Sequence, residues 1–152
     1  MNRVAGCKAN RLSVSHRRWI YLACALVYAS GLLWLGAHYA LASPSDAMSA
    51  RRPLESWSLW LHGAAAMGFL AALGSLFPAH ITQGWEARSN FASGVTMLAM
   101  AAVLIASGWG LYYLGAETVR DALSIAHWAL GVAAGPLLLL HIVLGRRDKQ
   151  SA

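Results

Sequence analysis

Residues 123–144 read LSIAHWALGVAAGPLLLLHIVL, a run of 22 residues with no Asp, Glu, Lys or Arg and a histidine near each end, His127 and His141. As a helix rising about 1.5 Å per residue, such a run spans the roughly 30 Å of a bilayer's hydrocarbon. Three more runs of the same kind precede it: Trp19 to Ala42, Trp57 to Ala79 and Phe91 to Leu114. None contains an acidic residue, a lysine or an arginine. Lipid offers no hydrogen bonds to backbone groups, so a spanning segment must be a helix or part of a closed barrel, and four strands cannot close one. The expectation is an all-α bundle of four transmembrane helices.

Composition agrees. Apolar residues make up 58% of the 152 and charged residues 12%, about half the charge of an ordinary soluble domain. The first run follows a basic leader, as a secretory signal would, and its Ala40-Leu41-Ala42 ending resembles a cleavage site. Its length exceeds the apolar core of such a signal, so it is read as a true span. The organisation expected is a basic tail over 1–18, a membrane domain over 19–145 and a short basic tail over 146–152. Loops are expected at Ser43 to Ser56, His80 to Asn90 and Gly115 to Ala122.

The net charge of +6 does not point to nucleic acid, because the basic residues cluster outside the spans rather than forming a stripe. Nine Lys and Arg fall on the side of the two tails and the middle loop, and three on the other side. By the positive-inside rule both termini are expected to be cytoplasmic, in an inner (cytoplasmic) membrane. Trp19, Trp57, Trp85, Tyr112, Tyr113 and Trp128 lie near span ends, as interfacial aromatics do. Cys7 and Cys24 form no CxxC or CxxCH motif, which argues against covalent haem attachment and a zinc knuckle.

Six histidines carry the chemistry: His16, His38, His62, His80, His127 and His141. Ionisable side chains in a span are costly and mark function by default, although a lone histidine more often bridges two helices. Spacing favours ligands. His127 and His141 are 14 residues apart, close to four turns, so they share a face about 21 Å apart along the axis. His62 and His80 are 18 apart, five turns at 3.6 residues each, and also share a face. Spans two and four run in the same direction. His62 and His127 therefore fall at an outer level, and His80 and His141 at an inner one. Two levels with an imidazole from each helix form the pattern that holds two six-coordinate haems in a bundle. Gly63, Gly68, Gly94, Gly108, Gly110, Gly131 and Gly135 offer room for a flat macrocycle or for close helix approach.

His127-Trp128-Ala129-Leu130-Gly131, followed by Leu140-His141-Ile142, resembles the last helix of bacterial membrane b-type cytochromes. That group includes the four-helix dihaem subunits serving hydrogenases and formate dehydrogenases. The pattern is also similar to a small membrane domain family of unknown function. The resemblance is best over spans two to four. It implies a bis-histidine protein carrying two b haems, or at least one, and passing electrons between a partner oxidoreductase or soluble redox protein and quinone. In that group the first helix gives the inner ligand from an Arg-x-x-His-Trp entry, and here Ser15-His16-Arg17-Arg18-Trp19 and Ser30-Gly31-Leu32 stand in its place.

His16 lies about two turns too far out to match His141, so His80 is preferred for the inner site. His80 carries its own difficulties: Pro78 is expected to kink or end the helix, and 18 residues outreach 14 by about 6 Å. His16 is held in reserve, as is His38, which is read as a packing or hydrogen-bonding neighbour of the outer pair. Arg88 and Arg120, with Arg51, Arg52 and Asn90, are candidates to pair haem propionates, since arginine binds carboxylates in bidentate fashion. Trp85, Glu86 and Arg88 are candidate borders of a quinone pocket. Two other readings stand beside this one: a haem-free membrane anchor subunit, and a histidine-lined metal transporter. The transporter is disfavoured because no span carries a carboxylate.

Overall fold

The computed structural model describes residues 13–40, 47–87 and 91–148. The elements are α1 (Val14–Ala40), α2 (Ala47–Leu76), a π-helical turn (Phe77–Ile81), α3 (Thr82–Ala87), α4 (Phe91–Tyr113) and α5 (Glu117–Asp148). No strand occurs among the described residues. Four segments are long and apolar enough to cross a membrane: Val14–Tyr39, Pro53–Leu76, Phe91–Tyr113 and Glu117–Arg147. The chain is an all-α, multi-pass membrane protein, as the apolar runs predict. Its outward faces carry large apolar side chains such as Trp60, Met67, Val103 and Leu139, the surface a lipid belt requires.

The helices overrun the apolar runs at their polar ends. α1 begins at Val14, ahead of Trp19, because Ser13 caps it: the Ser13 hydroxyl accepts from the His16 N–H at 3.1 Å, and its carbonyl accepts from the Arg17 N–H at 3.0 Å. A serine N-cap satisfies donors that the first turn leaves open. Residues 51–56, expected as a lead-in loop, lie within α2 with Pro53 inside the helix. The connection from α4 to α5 contracts to Leu114–Ala116, since α5 starts at Glu117. Glu117 in the first turn of α5 and Arg146 and Arg147 in its last complement the helix dipole.

α1 packs on α2 and α4 on α5, and α1 also meets α5. Each of these pairs is antiparallel, shown by the contacts His16–Ser75 and His38–Glu55 between α1 and α2, Ser93–His141 and Ser107–His127 between α4 and α5, and Tyr28–Val132 and Tyr39–Trp128 between α1 and α5. Small residues let α1 and α2 approach: Ala23 and Ala72 are buried with Ile20, and Cys24 and Leu76 pack against them.

The α1–α5 contact follows from Pro136, inside α5. Proline has no N–H to give the carbonyl four residues back, which here is that of Val132. The Tyr28 hydroxyl supplies the missing donor, bonding to the Val132 carbonyl at 3.3 Å. Gly135 makes room for it, because a Cβ there would lie 2.5 Å from Tyr28 Cζ. Gly135→Val is therefore expected to drive Tyr28 away and destabilise the bundle by about 1–3 kcal/mol, as overpacking does. A lower midpoint of thermal unfolding in detergent checks this, with Gly63→Val, where the space is open, as the milder comparison.

Candidate paired-histidine sites

The bundle brings four histidines into two facing pairs. His62 of α2 and His127 of α5 stand with ring centroids 6.2 Å apart and ring planes at 88°. His80 of the π turn and His141 of α5 stand 6.1 Å apart at 80°. The preferred sequence pairing thus appears as two physical pairs, at the two depths set by the spacing along α5.

His80 reaches His141 through a local departure from α geometry. Pro78 does not end the helix; it opens the turn. The Thr82 N–H bonds to the Phe77 carbonyl, five residues back, and the Thr82 hydroxyl donates to the Pro78 carbonyl at 2.7 Å. A π turn packs more residues into each turn than an α-helix and so advances less per residue. It absorbs part of the length by which 18 residues exceed 14. Such turns recur at functional sites.

The rings of His62, His127 and His141 are gripped at Nδ1. His62 Nδ1 lies 3.0 Å from the Val27 carbonyl and 3.1 Å from Ser30 Oγ. His127 Nδ1 lies 2.9 Å from Ser107 Oγ, and His141 Nδ1 lies 3.0 Å from Ser93 Oγ. A carbonyl can only accept, so His62 carries its proton on Nδ1 and keeps the Nε2 lone pair free. Glycines lie along the same ring edge: Cβ atoms at Gly31 and Gly108 would stand 3.1 Å from His62 Cε1 and 3.3 Å from His127 Cε1.

These dimensions suit one metal per pair. Two imidazoles bound through Nε2 at about 2.0 Å on opposite sides of a shared ion would place their ring centroids about 6.3 Å apart. Among the described residues no three His, Cys, Asp or Glu gather to hold a metal. Each pair brings two imidazoles together, the number of axial ligands that a six-coordinate haem takes from a protein. Trp128, next to His127, adds a buried indole N–H with no partner among the described residues, which calls for an acceptor.

The reserve histidines are engaged elsewhere. His16 places its Nε2, the atom a ligand would use, 2.8 Å from Ser75 Oγ, and the structure does not bring it to His141. His38 bonds through Nδ1 to Glu55 Oε1 at 3.2 Å, stacks on Trp34 at 4.8 Å and meets the edge of Tyr39. Arg120 is exposed near the start of α5. Trp85 packs edge-on against Phe91 at 4.8 Å. Arg88 and Asn90 lie outside the described residues, as do the side chains of Arg51 and Arg52. Of the gripping serines the sequence singles out only Ser30, within Ser30-Gly31-Leu32, and gives it no role; the visible signal was a Ser-Gly dipeptide at 30–31, 93–94 and 107–108.

Fold and site together define a four-span helical membrane protein with two facing histidine pairs at two depths. No protein-family model, curated protein or solved structure matches the chain.

Proposed function

We propose that this protein is a membrane b-type cytochrome that passes electrons across the bilayer through two bis-histidine haem b sites. The observation that carries the reading is the pair of ring separations, 6.2 and 6.1 Å, each matching two imidazoles on one metal. His62 and His127 would hold one haem, and His80 and His141 the other. A haem b in each site supplies a one-electron iron couple whose potential is set by ligation and burial. The chain contributes the ligands, their orientation and an apolar surround. The buried Trp128 N–H and the guanidinium of Arg120 or Arg88 are the groups available to a propionate.

The excess of Lys and Arg on the side of the tails supports both termini being cytoplasmic in an inner membrane. The first pair is then the outer site and the second the inner one. The chain is then read as a subunit exchanging electrons with a larger oxidoreductase or soluble partner on one side and quinone on the other.

Near-perpendicular axial rings leave the iron d orbitals close in energy, and a low-spin ferric haem so held has strongly anisotropic g values. Electron paramagnetic resonance of the oxidised protein is expected to show two such low-spin signals. A high-spin signal alone would refute paired histidine ligation. Metal-dependent uptake by a protein without haem would favour the transporter reading instead.

A further inference from the structure

We propose that Ser30 and Ser107 are positioning residues which lock His62 and His127 in the metal-binding tautomer and set the potential of the outer site; the proposal rests on the haem reading above. The same device recurs around the bundle. A Ser-Gly dipeptide on α1 or α4 faces a histidine of the next long helix: Ser30-Gly31 at His62, Ser107-Gly108 at His127, and Ser93-Gly94 at His141. In each the hydroxyl meets Nδ1 and the glycine lies beside Cε1.

The direction of the hydrogen bonds gives the device its effect. Ser30 donates its hydroxyl hydrogen to the Val27 carbonyl at 3.1 Å, and Ser107 donates to the Leu104 carbonyl at 3.2 Å. With that hydrogen spent, each serine oxygen presents a lone pair to the facing ring, joined at His62 by the Val27 carbonyl at 3.0 Å, so the ring keeps its proton on Nδ1; Ser107→Ala is therefore the more sensitive of the two single changes. The other tautomer would turn an N–H toward the metal and could not bind it. Both serines are buried, Ser30 at 2% exposure and Ser107 at 5%, where an unmet hydroxyl is costly. Each is met twice, once by its own helix and once by the histidine.

An acceptor on Nδ1–H makes an imidazole a stronger donor to its metal. A stronger donor favours the ferric state and lowers the midpoint potential. Removing the serine oxygen should raise that potential while leaving the ligand in place. The glycines complete the arrangement, since a side chain at Gly31 or Gly108 would press on the ring it faces.

The test is a redox titration of the b-type absorbance in full-length protein carrying Ser107→Ala, Ser107→Thr, Ser30→Ala or the double alanine change. Ser58→Ala is the control, because Ser58 is equally buried and also donates back to its own helix, at the Glu55 carbonyl. Ser107→Ala and Ser30→Ala are expected to retain haem and raise the midpoint potential of one centre. The double change should move the same centre further, Ser107→Thr should return it toward the wild-type value, and Ser58→Ala should leave both centres where they were. Unchanged potentials in both single alanine variants would overturn the proposal while the haem reading stands. So would failure of threonine to restore the value, or an equal shift with Ser58→Ala. A wild-type protein with no b-type spectrum would overturn both.

Discussion

His127→Ala is expected to cost the protein one of its two haems and leave the other in place. A bis-histidine site has two axial bonds, and removing one ligand leaves a five-coordinate iron held by His62 alone between two helices. The effect on the fold should be small by comparison. The histidine gives up its hydrogen bond to Ser107, worth about 0.5–1.5 kcal/mol. Haem per chain should therefore fall by about half, while insertion and the elution profile in detergent stay as in the wild type. His62→Ala should remove the same haem, since its ring faces His127 at 6.2 Å. Added imidazole, which fits the space left by the ring, should restore part of the low-spin spectrum in either variant. Loss of both haems from one substitution would mean that the two levels are not independent.

The second large effect separates His80 from His16. His80→Ala and His141→Ala should each remove the inner haem, because these rings face each other at 6.1 Å. His16→Ala should leave both haems bound. Its Nε2 is held by Ser75 at 2.8 Å, and the loss is one contact between α1 and α2. Pyridine haemochrome content per chain reads the difference directly. Retention of both haems in His80→Ala together with loss of one in His16→Ala would move the inner ligand to α1.

The membrane class was legible from the sequence because it depends on composition alone, and four uncharged runs longer than the bilayer admit few other readings. Helix ends were less so. Ser13 and Glu117 extend α1 and α5 through capping and dipole effects that hydropathy does not register. The facing of His62 with His127 followed from rotation and depth, because both helices are regular between their histidines and the end of the bundle they share. His80 was harder. Its spacing and Pro78 both argued against it in an ideal α-helix, and the π turn that reconciles them is a backbone adjustment no periodicity reveals.

The serines were hidden for a different reason. Which residue of α1 faces His62 depends on the register of two antiparallel helices, and small-residue packing such as Ala23 against Ala72 fixes that register only in the folded bundle. Tyr28 likewise acquires meaning only when Pro136 is known to leave a carbonyl open on the helix beside it.

The central claim is that the two histidine pairs each hold a haem, and its most direct test is the haem content of the full-length chain purified from haem-replete cells. Two b haems per chain, low-spin in the oxidised state and reducible to a b-type spectrum, is the predicted result. A folded, monodisperse chain that carries no haem would contradict it.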